Sequence, residues 1–295
     1  MGYSGKFEGL VPREKRTVWR YVDYSKLMWI LSQGKLHFHR GDLFDDPFEG
    51  TLPEIVAKAR KQAYIEDYDS PETMEEIHAE TTKQIRQDVF LNCWHVNGHE
   101  SAGMWEIYSN TDKSIVIKST IGDLISALEQ TSKRILMGEV TYLDFDSTGR
   151  KQERKLEEFS KQIPDSASTP AEPFLLKRNS FRHEPEFRLL IIDPTLLSER
   201  EYEDLKYNIE LDGVNRKIPL MISNGHEEGF YYALRERDTT GFNIDINTSE
   251  LINEIRISPD APAWFKDAVE ATVTASSDLG KEQVNFSELR GESIY

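Results

Sequence analysis

The amino-acid sequence predicts an α+β fold, in which a single domain has a mixed β-sheet core, flanking helices and a helical insertion near residues 53–88. Short alternating or apolar segments, which are typical of strands, recur along the chain. Segments with helix start and stop signals lie between them. The two kinds of segment do not follow the strict βαβ rhythm of a doubly wound sheet, which favours α+β. We expect residues 1–16 to form a polar N-terminal arm and residues 17–295 to form the domain.

The first strand, helix and second strand are predicted between residues 17 and 40. Thr17–Val22 alternates and contains aromatic and β-branched residues, which is typical of a strand. Asp23 is a suitable N-cap for a helix, and Gly34 is a suitable stop, because glycine readily adopts the left-handed conformation that ends many helices. Lys35–Arg40 then predicts a second short strand.

The insertion near residues 53–88 is predicted to contain two helices. Pro53–Tyr64 forms the first. The second begins with Ser70 as its cap and Pro71 at its first position, and it runs toward Gln87. Because the apolar strand Val89–His95 follows directly, the helical pair interrupts the sheet between two strands.

The remaining elements are mostly strands. Residues 164–173, in a stretch rich in Ser and Pro, are predicted to form a flexible loop that is either a lid or a linker. Residues 200–247 are predicted to form short strands and turns, and Trp264 and Phe265 are expected on one apolar face of the last helix. We expect strands at Ser114–Ser119, Glu139–Phe145, Phe187–Ile192 and Leu251–Ser258, and helical segments at Gly103–Ser109, Asp123–Lys133 and Pro262–Ala275.

Charge and composition restrict the partners. The chain has 52 acidic and 36 basic residues, a net charge of −16, so its surface repels nucleic acid and anionic membranes at long range. We therefore expect no binding of bulk nucleic acid, and the lack of an apolar run of about 18 residues predicts no membrane span. Cys93 is the single cysteine, which excludes an internal disulfide and a cysteine-rich zinc site. The polar N-terminus lacks the apolar segment of a secretory signal, so we expect a cytoplasmic protein.

Arg20 is placed on an apolar face of the first predicted strand. Alternate residues of a strand face the same side, so Arg20 faces the same way as Val18 and Val22. A charged side chain on such a face is costly unless it is paired. Arg20 therefore meets a carboxylate, binds an anionic ligand, or lies on an edge strand and reaches water.

A second polar face lies at the start of the strand after residue 185. Glu184, Glu186 and Arg188 alternate and share one face, with about 6.5–7 Å between successive Cα atoms. Two neighbouring carboxylates can raise each other's pKa and can stabilise a developing cation. The alternative is a solvated strand end, where Arg188 forms a surface ion pair with Glu186; Pro185 favours this alternative because proline prefers edges and strand starts.

Two further groups of residues are candidates for ligand binding. Asp46 and Glu49 lie in an Asp-Pro turn between two phenylalanines, where they orient a ligand hydroxyl, pair with Arg20, or cap the following helix. The aromatic side chains form either a wall for a planar ring or part of the core. These aromatic candidates are Trp94, Trp105 and Tyr108.

Motifs for metal and phosphate chemistry are largely lacking. His37 and His39 share one face of a strand, and together with Asp45, Asp46 and Glu49 they are the residues from which a metal-dependent nuclease could be built. However, no HExxH or CxxC motif occurs, and we expect no metal site. The sequence also has no Walker-type loop, no GxGxxG and no GxSxG, which removes the common nucleotide hydrolases, dehydrogenases and esterases.

The order of these motifs resembles a widespread prokaryotic domain family of unknown function. Its layout has an F-N-D-P-F-E loop, an M-W-x-x-Y turn and a late K…F…E-x-E-x-R block. Asp45 stands where that family has Asn, and Trp94-His95 replaces its serine. The resemblance spans roughly residues 18–290 and is carried by Trp19–Val22, Lys35–Phe38, Phe44–Glu49, Leu91–His95, Met104–Tyr108, Val140–Tyr142, Lys177, Phe181, Glu184–Arg188 and Ile252–Pro259.

The chain also resembles, at the level of layout, the ADP-ribosyltransferases, in which an early Arg or His, a middle Ser or Tyr and a late Glu face one cleft. This resemblance implies that NAD is the substrate, that Glu186 stabilises the oxocarbenium character of the ribose, and that Glu184 polarises the acceptor. It implies that Arg20 grips the pyrophosphate. It also implies that Trp94, Trp105 or Tyr108 stacks on nicotinamide. The ligand-binding residues expected on this basis are Arg20, Tyr21, Asp46, Trp94, Trp105, Tyr108, Lys177 and Arg188.

Three functions are consistent with the sequence. The leading hypothesis is an ADP-ribosyltransferase-like or NAD-cleaving effector of a bacterial defence or toxin type. The second is a non-catalytic domain that binds a nucleotide, another small molecule or a partner through the same cleft. The third is the metal-dependent nuclease, against which the acidic surface counts. The sequence leaves the acceptor and the oligomeric state open.

Overall fold

A computed structural model describes residues 14–108, 113–131, 133, 135–162, 172–193 and 238–291, together with two-residue strands at 196–197, 210–211, 214–215 and 231–232. It confirms the α+β prediction, because helices surround a mixed sheet of nine strands. Of the helices in these residues, none is long and apolar enough to cross a membrane. Most of the predicted arm lies outside the described residues.

Fifteen strands and eight α-helices are described. The helices are α1 Tyr24–Gln33, α2 Glu54–Asp67, α3 Pro71–Asp88, α4 Ala102–Tyr108, α5 Ile121–Ala127, α6 Arg150–Gln162, α7 Thr248–Leu251 and α8 Ala263–Ser276. The strands are β1 Thr17–Asp23, β2 Lys35–Arg40, β3 Val89–Val96, β4 Ser114–Thr120, β5 Leu136–Glu139, β6 Thr141–Leu143, β7 Leu176–Arg178, β8 Glu186–Ile192, β9 Leu196–Leu197, β10 Glu210–Leu211, β11 Val214–Asn215, β12 Tyr231–Tyr232, β13 Gly241–Asp245, β14 Glu254–Ile257 and β15 Val284–Phe286.

The nine-stranded sheet is built around β3. One edge of β3 pairs along its length with β8, which in turn pairs with β5. The other edge leads through β1 to β4, β14 and β15, and through β2 to β13. All of these pairs are antiparallel except β14 with β15, so the sheet is mixed, as predicted. The two helices α2 and α3 connect β2 to β3, which confirms the helical insertion.

The second edge of β3 is shared by two strands, and this divides the sheet. At one end of β3, Trp19 of β1 lies opposite His95. At the other end, His39 of β2 lies opposite Leu91. Between these contacts β1 and β2 separate, so no strand of the described residues pairs with the backbone of β3 around Cys93 on this edge. A cleft opens at the separation.

The first helix follows the cap residues that the sequence predicts. The Asp23 side chain accepts a hydrogen bond from the Lys26 backbone N–H at 2.8 Å. Gly34 ends the helix with φ 59°, the left-handed conformation that favours glycine. The apolar side of α1, including Leu27, packs into the main core against β1 and β2. The helix α1 therefore contacts both strands that border the cleft, β1 and β2.

Two apolar cores lie on opposite faces of the sheet. Even-numbered residues of β3, such as Phe90 and Trp94, belong to the main core. Odd-numbered residues, such as Val89 and Leu91, face a smaller core that includes Phe174. Because alternate residues of a strand face opposite sides, Cys93 and His95 point to the same side as Leu91, which is the side of the cleft.

Several local predictions were wrong. Residues 150–162, for which no element was predicted, form the helix α6. The strand predicted at 139–145 contains only the last residue of β5 and the short strand β6. The helix predicted at 123–133 ends at Ala127, and the strand predicted at 251–258 is confined to Glu254–Ile257. Ser70 makes no side-chain cap bond. Trp264 is 58% exposed rather than buried. The predicted loop at 164–173, apart from its last two residues, and most of residues 200–247 lie outside the described part of the chain.

Candidate functional site

The cleft at the separation of β1 and β2 has a volume of about 1030 Å³, at the upper end for small-molecule sites. The odd-numbered residues of β3 form its floor. One wall comes from β1 and α1, a second from β2, its following loop and β13, and a third from β7, β8 and α4. The lining residues are Trp19, Arg20, Tyr21, Val22, Ser25, Lys26, Trp29, His37, His39, Leu43, Phe44, Asp45, Leu91, Cys93, Trp94, His95, Met104, Tyr108, Lys177, Glu184, Glu186, Arg188 and Asn243.

Arg20 reaches into the gap that β1 leaves beside β3. Its Nη1 donates to the Cys93 carbonyl at 2.9 Å, so it satisfies a backbone acceptor that no strand pairs. Its Nε is buried without a hydrogen-bond partner, and no carboxylate of the described residues lies within ion-pair distance. The guanidinium carbon lies 5.7 Å from the centroid of the Trp94 ring. Burial lowers the pKa of Arg20 because it disfavours the charged form. An anion in the cleft would therefore stabilise the guanidinium cation.

Opposite Arg20, a buried ion-pair cluster joins β8 to the loop before α2. Arg188 is fully buried and donates from Nη1 and Nη2 to the two carboxylate oxygens of Glu49, at 2.5 and 3.0 Å. Its Nε donates to Glu186 at 2.8 Å, and its Nη1 also donates to the Phe174 carbonyl at 2.5 Å. Since every donor group of Arg188 has a partner, this arginine is a structural centre for two carboxylates.

Lys177 extends the cluster toward the mouth of the cleft. It forms a short ion pair with Glu186 and a longer one with Glu184, at 3.5 Å. Burial raises the pKa of Glu186, but Arg188 and Lys177 outweigh it and lower that pKa to about 2. Glu186 therefore stays ionised at all physiological pH values.

Glu184 has weaker contacts than Glu186. The Tyr108 hydroxyl donates to it at 3.4 Å, and His183 Nε2 lies 3.3 Å from its other oxygen. The Tyr142 hydroxyl donates to the Glu184 backbone carbonyl and fixes the turn before β8. Burial, followed by the nearby Glu184, raises the pKa of Tyr108, so its hydroxyl stays protonated.

The charges of the cluster do not balance. Glu49, Glu184 and Glu186 supply three negative charges, whereas Lys177 and Arg188 supply two positive charges. The difference, three minus two, is one negative charge at this end of the cleft. The Arg20 cation lies near the middle of the cleft floor, beside Cys93, so the cleft carries charges of opposite sign.

His95 and Cys93 lie on the floor between these charges. His95 is 4% exposed, and neither ring nitrogen has a hydrogen-bond partner within the described ranges. Burial lowers the pKa of His95, although Glu186 opposite it acts the other way, so the ring is neutral at neutral pH. Burial raises the pKa of the Cys93 thiol to about 12, which makes it a poor nucleophile.

Most of the residues predicted for the site line one cleft. Arg188 and Trp94 are the least accessible of them, at 0% and 1% exposure. The Trp94 indole N–H donates to Asn92 Oδ1 at 2.7 Å, and Trp94 belongs to the main core, so only part of its ring lines the cleft. Burial raises the pKa of Tyr21 to about 12, so its hydroxyl is also protonated. The predicted residues brought together are Arg20, Tyr21, Trp94, Tyr108, Lys177, Glu184, Glu186 and Arg188.

Two residues predicted to bind the ligand lie elsewhere. The Trp105 indole donates to Glu100 at 2.9 Å and packs against Trp19, and Trp105 itself is not among the lining residues. Asp46 accepts a hydrogen bond from Arg178 at 2.7 Å and is not among the lining residues. Each is held by a protein partner, so neither is part of the site that we describe.

The partner of Glu49 was not predicted from the sequence. Glu49 was expected to contact a ligand, Arg20 or a helix end, but it pairs with Arg188. Within the described residues, no group of three His, Cys, Asp or Glu side chains is arranged to hold a metal ion. Of the residues considered for a nuclease, Asp46 and Glu49 are engaged by arginines.

Comparison with known proteins adds no relative. The chain matches no protein-family model, and neither a curated protein nor a solved structure is significantly similar to it. The functional argument therefore depends on the geometry and charge of the cleft.

Proposed function

We propose that the cleft binds NAD and cleaves its nicotinamide–ribose bond, in the manner of an ADP-ribosyltransferase or an NAD-hydrolysing effector. The observation that carries the proposal is the charge arrangement. Arg20 is a half-buried cation with no carboxylate partner among the described residues, and Glu184 and Glu186 belong to a cluster with one surplus negative charge in the same cleft.

NAD has matching charges of opposite sign. Its pyrophosphate is an anion, which Arg20 binds, because a guanidinium donates to phosphate oxygens in a charge-assisted geometry. Its nicotinamide ring is a cation when bonded to ribose, and the carboxylate end of the cleft favours it. An adenine mononucleotide or a sugar phosphate carries the anion but lacks the cationic ring.

The same carboxylates suit the chemistry of cleavage. In the proposed reaction, the bond between ribose C1′ and the nicotinamide nitrogen breaks, and both electrons leave with nicotinamide. The ribose takes on oxocarbenium character, which the fixed negative charge of Glu186 stabilises. A hydroxyl group of water or another acceptor then bonds to C1′ and passes its proton to Glu184, whose contacts are weaker.

The acceptor is either water or a group on another molecule. The net charge of −16 does not attract bulk nucleic acid, so a protein side chain, a small molecule or water is the expected acceptor. Hydrolysis in a cell depletes NAD, which suits an effector of bacterial defence or toxicity.

Nicotinamide release tests the proposal. Purified protein is incubated with NAD, alone and with a bacterial lysate, beside the variants Glu186→Gln, Glu184→Gln and Arg20→Met. We expect release by the native chain and a loss of about 100-fold or more in Glu186→Gln. Glu254→Gln is the matched control, because Glu254 also pairs with two cations, Lys118 and Arg256, but lies outside the cleft lining.

A non-catalytic nucleotide-binding domain is the second candidate. It is favoured by the engagement of Glu186 with both Lys177 and Arg188, which is typical of a structural ion pair. Calorimetry with NAD separates the two. Binding without nicotinamide release supports the binding domain, whereas neither binding nor release contradicts both proposals.

A further inference from the structure

Three side chains of different chemical character follow one another along the floor of the cleft. Leu91, Cys93 and His95 are alternate residues of β3 and face the cleft together. At about 3.3 Å per residue, Leu91 and His95 are roughly 13 Å apart along the strand. Each of the three lies beside a different neighbour on the surrounding strands.

The neighbours define two ends and a middle. His39 of β2 lies opposite Leu91 at one end. Arg20 bonds to the Cys93 carbonyl in the middle. Glu186 of β8 lies opposite His95 at the other end. The cation therefore stands between the carboxylates and a third region, the β2 end, for which the proposed bond cleavage supplies no role.

The β2 end is lined by a row of rings. The ring centroids of His37 and His39 are 6.0 Å apart, and those of His39 and Phe44 are 5.5 Å apart. Trp29 of α1 lines the same cleft. His39 and Phe44 are only half-buried, so their rings remain open to a ligand. Planar heteroaromatic rings stack on such side chains.

Asn243 and Gly241 fix the position of the His37 ring in this row. Its Nδ1 lies 2.8 Å from Asn243 Oδ1, and because an amide oxygen only accepts, the Nδ1 carries the proton. A Cβ at Gly241 would lie 2.4 Å from His37 Cε1, so the ring rests against a position where only glycine fits. Burial, followed by the nearby His37, lowers the pKa of His39, which keeps that ring neutral at neutral pH.

Polar groups at the edge of the row suit the edge of a purine. Asn243 is exposed and lines the cleft, and its amide nitrogen can donate to a ring nitrogen while its oxygen contacts His37. Asp45, exposed beside Phe44, can accept from an exocyclic amine. Adenine has both kinds of group, whereas a ribose phosphate has neither.

We propose that His37, His39 and Phe44, with Asn243 and Asp45, form a subsite for the purine base of an adenine nucleotide. This inference rests on the proposed function, because it places the adenine half of NAD at the β2 end, the pyrophosphate at Arg20 and the nicotinamide ribose at the carboxylates. It makes the site selective for adenine dinucleotides over nicotinamide mononucleotide.

Calorimetry with AMP and with ribose 5-phosphate tests the subsite, because the two probes differ only in the base. We expect the native chain to bind AMP about tenfold or more tightly than ribose 5-phosphate. In His39→Leu and in Phe44→Leu this ratio should fall toward one, while the affinity for ribose 5-phosphate stays unchanged. His99→Ala is the control, because His99 is exposed outside the cleft lining and should leave the ratio intact.

Equal affinity for the two probes in the native chain, no binding of AMP at millimolar concentration, or a ratio that survives both leucine variants would overturn the subsite. Thermal unfolding of each variant shows whether it is folded, and the two variants perturb the row independently. Base-dependent AMP binding without nicotinamide release would contradict the proposed cleavage and leave the subsite standing. Nicotinamide release from NAD and from nicotinamide mononucleotide at equal rates would support the proposed cleavage and contradict the adenine subsite.

Discussion

Arg188 and Glu49 form a two-bond ion pair between residues 139 positions apart in sequence, with both side chains only 1% exposed. The pair attaches the loop before α2 to the centre of β8. Burying two charges is costly, and the cost is offset only while each charge keeps its partner. The stability of the cleft therefore depends on this contact as well as on the apolar cores.

Replacement of Arg188 should destabilise the fold strongly. In Arg188→Met, Glu49 and Glu186 are left buried without their main cation, and we expect a loss of about 3–5 kcal/mol in the free energy of unfolding, measured with urea. Arg154→Met is the control. Arg154 pairs with Glu158 on an exposed helix face, so its loss should change stability by about 0.5 kcal/mol or less. Equal effects of the two substitutions would contradict the structural role of Arg188.

Acid should weaken the protein through Glu186. The pKa of this group is about 2 in the folded state against an ordinary value of 4.5, so its contribution is fully present above pH 4.5 and is lost as the pH falls toward 2. The contribution is roughly 3 kcal/mol by linkage. Unfolding free energies of the native chain and Glu186→Gln, measured from pH 6 to 2, should therefore converge on acidification. Parallel curves would show that Glu186 is not stabilised by its cations.

Substitution of Gly50 should disturb the cluster without touching a charge. Its φ is +69°, and an added Cβ would lie 2.4 Å from the Phe174 ring, whose backbone carbonyl accepts from Arg188. We expect Gly50→Ala to cost about 3 kcal/mol in thermal or urea unfolding. Gly98→Ala is the matched control, because nothing lies within 4 Å of an added Cβ there. A loss of similar size at both positions would contradict the steric argument.

The single thiol should react slowly with alkylating reagents. Because the pKa of Cys93 is raised to about 12 from an ordinary value of 9.0, its thiolate fraction at pH 8 is roughly a thousandfold smaller than that of a free thiol. Mass spectrometry after treatment with iodoacetamide should show almost unmodified protein, and full modification after unfolding in urea. Rapid modification of the folded protein would mean that Cys93 is neither desolvated nor shielded.

Local signals predicted much of the fold. Asp23 and Gly34 bound α1 because each acts on its own backbone within a few residues. The helix α6 was missed because only Leu156 and Phe159 supply apolar contacts within a highly charged segment. Trp264 was misplaced because a helical pattern alone does not show where the buried face ends.

The site was predictable only in part, because several of its contacts join residues that are far apart in the sequence. Arg20, Glu184 and Glu186 stood out because charged residues on apolar strand faces need partners. The partner of Arg188 could not be inferred, since Glu49 lies in a distant loop and is brought close only by the complete sheet. The division of the sheet at Cys93 likewise depends on two strands that pair with different ends of β3.

The shared edge of β3 also makes this one strand the common support of two parts of the sheet. The strands β1, β4, β14 and β15 lie on one side of the division and β2 with β13 on the other, and β3 pairs with both. On its opposite edge β3 pairs with β8 from Val89 to His95, so β8 spans the division without interruption. At the division itself, Arg20 supplies the Cys93 carbonyl with the hydrogen bond that a neighbouring strand provides elsewhere along β3.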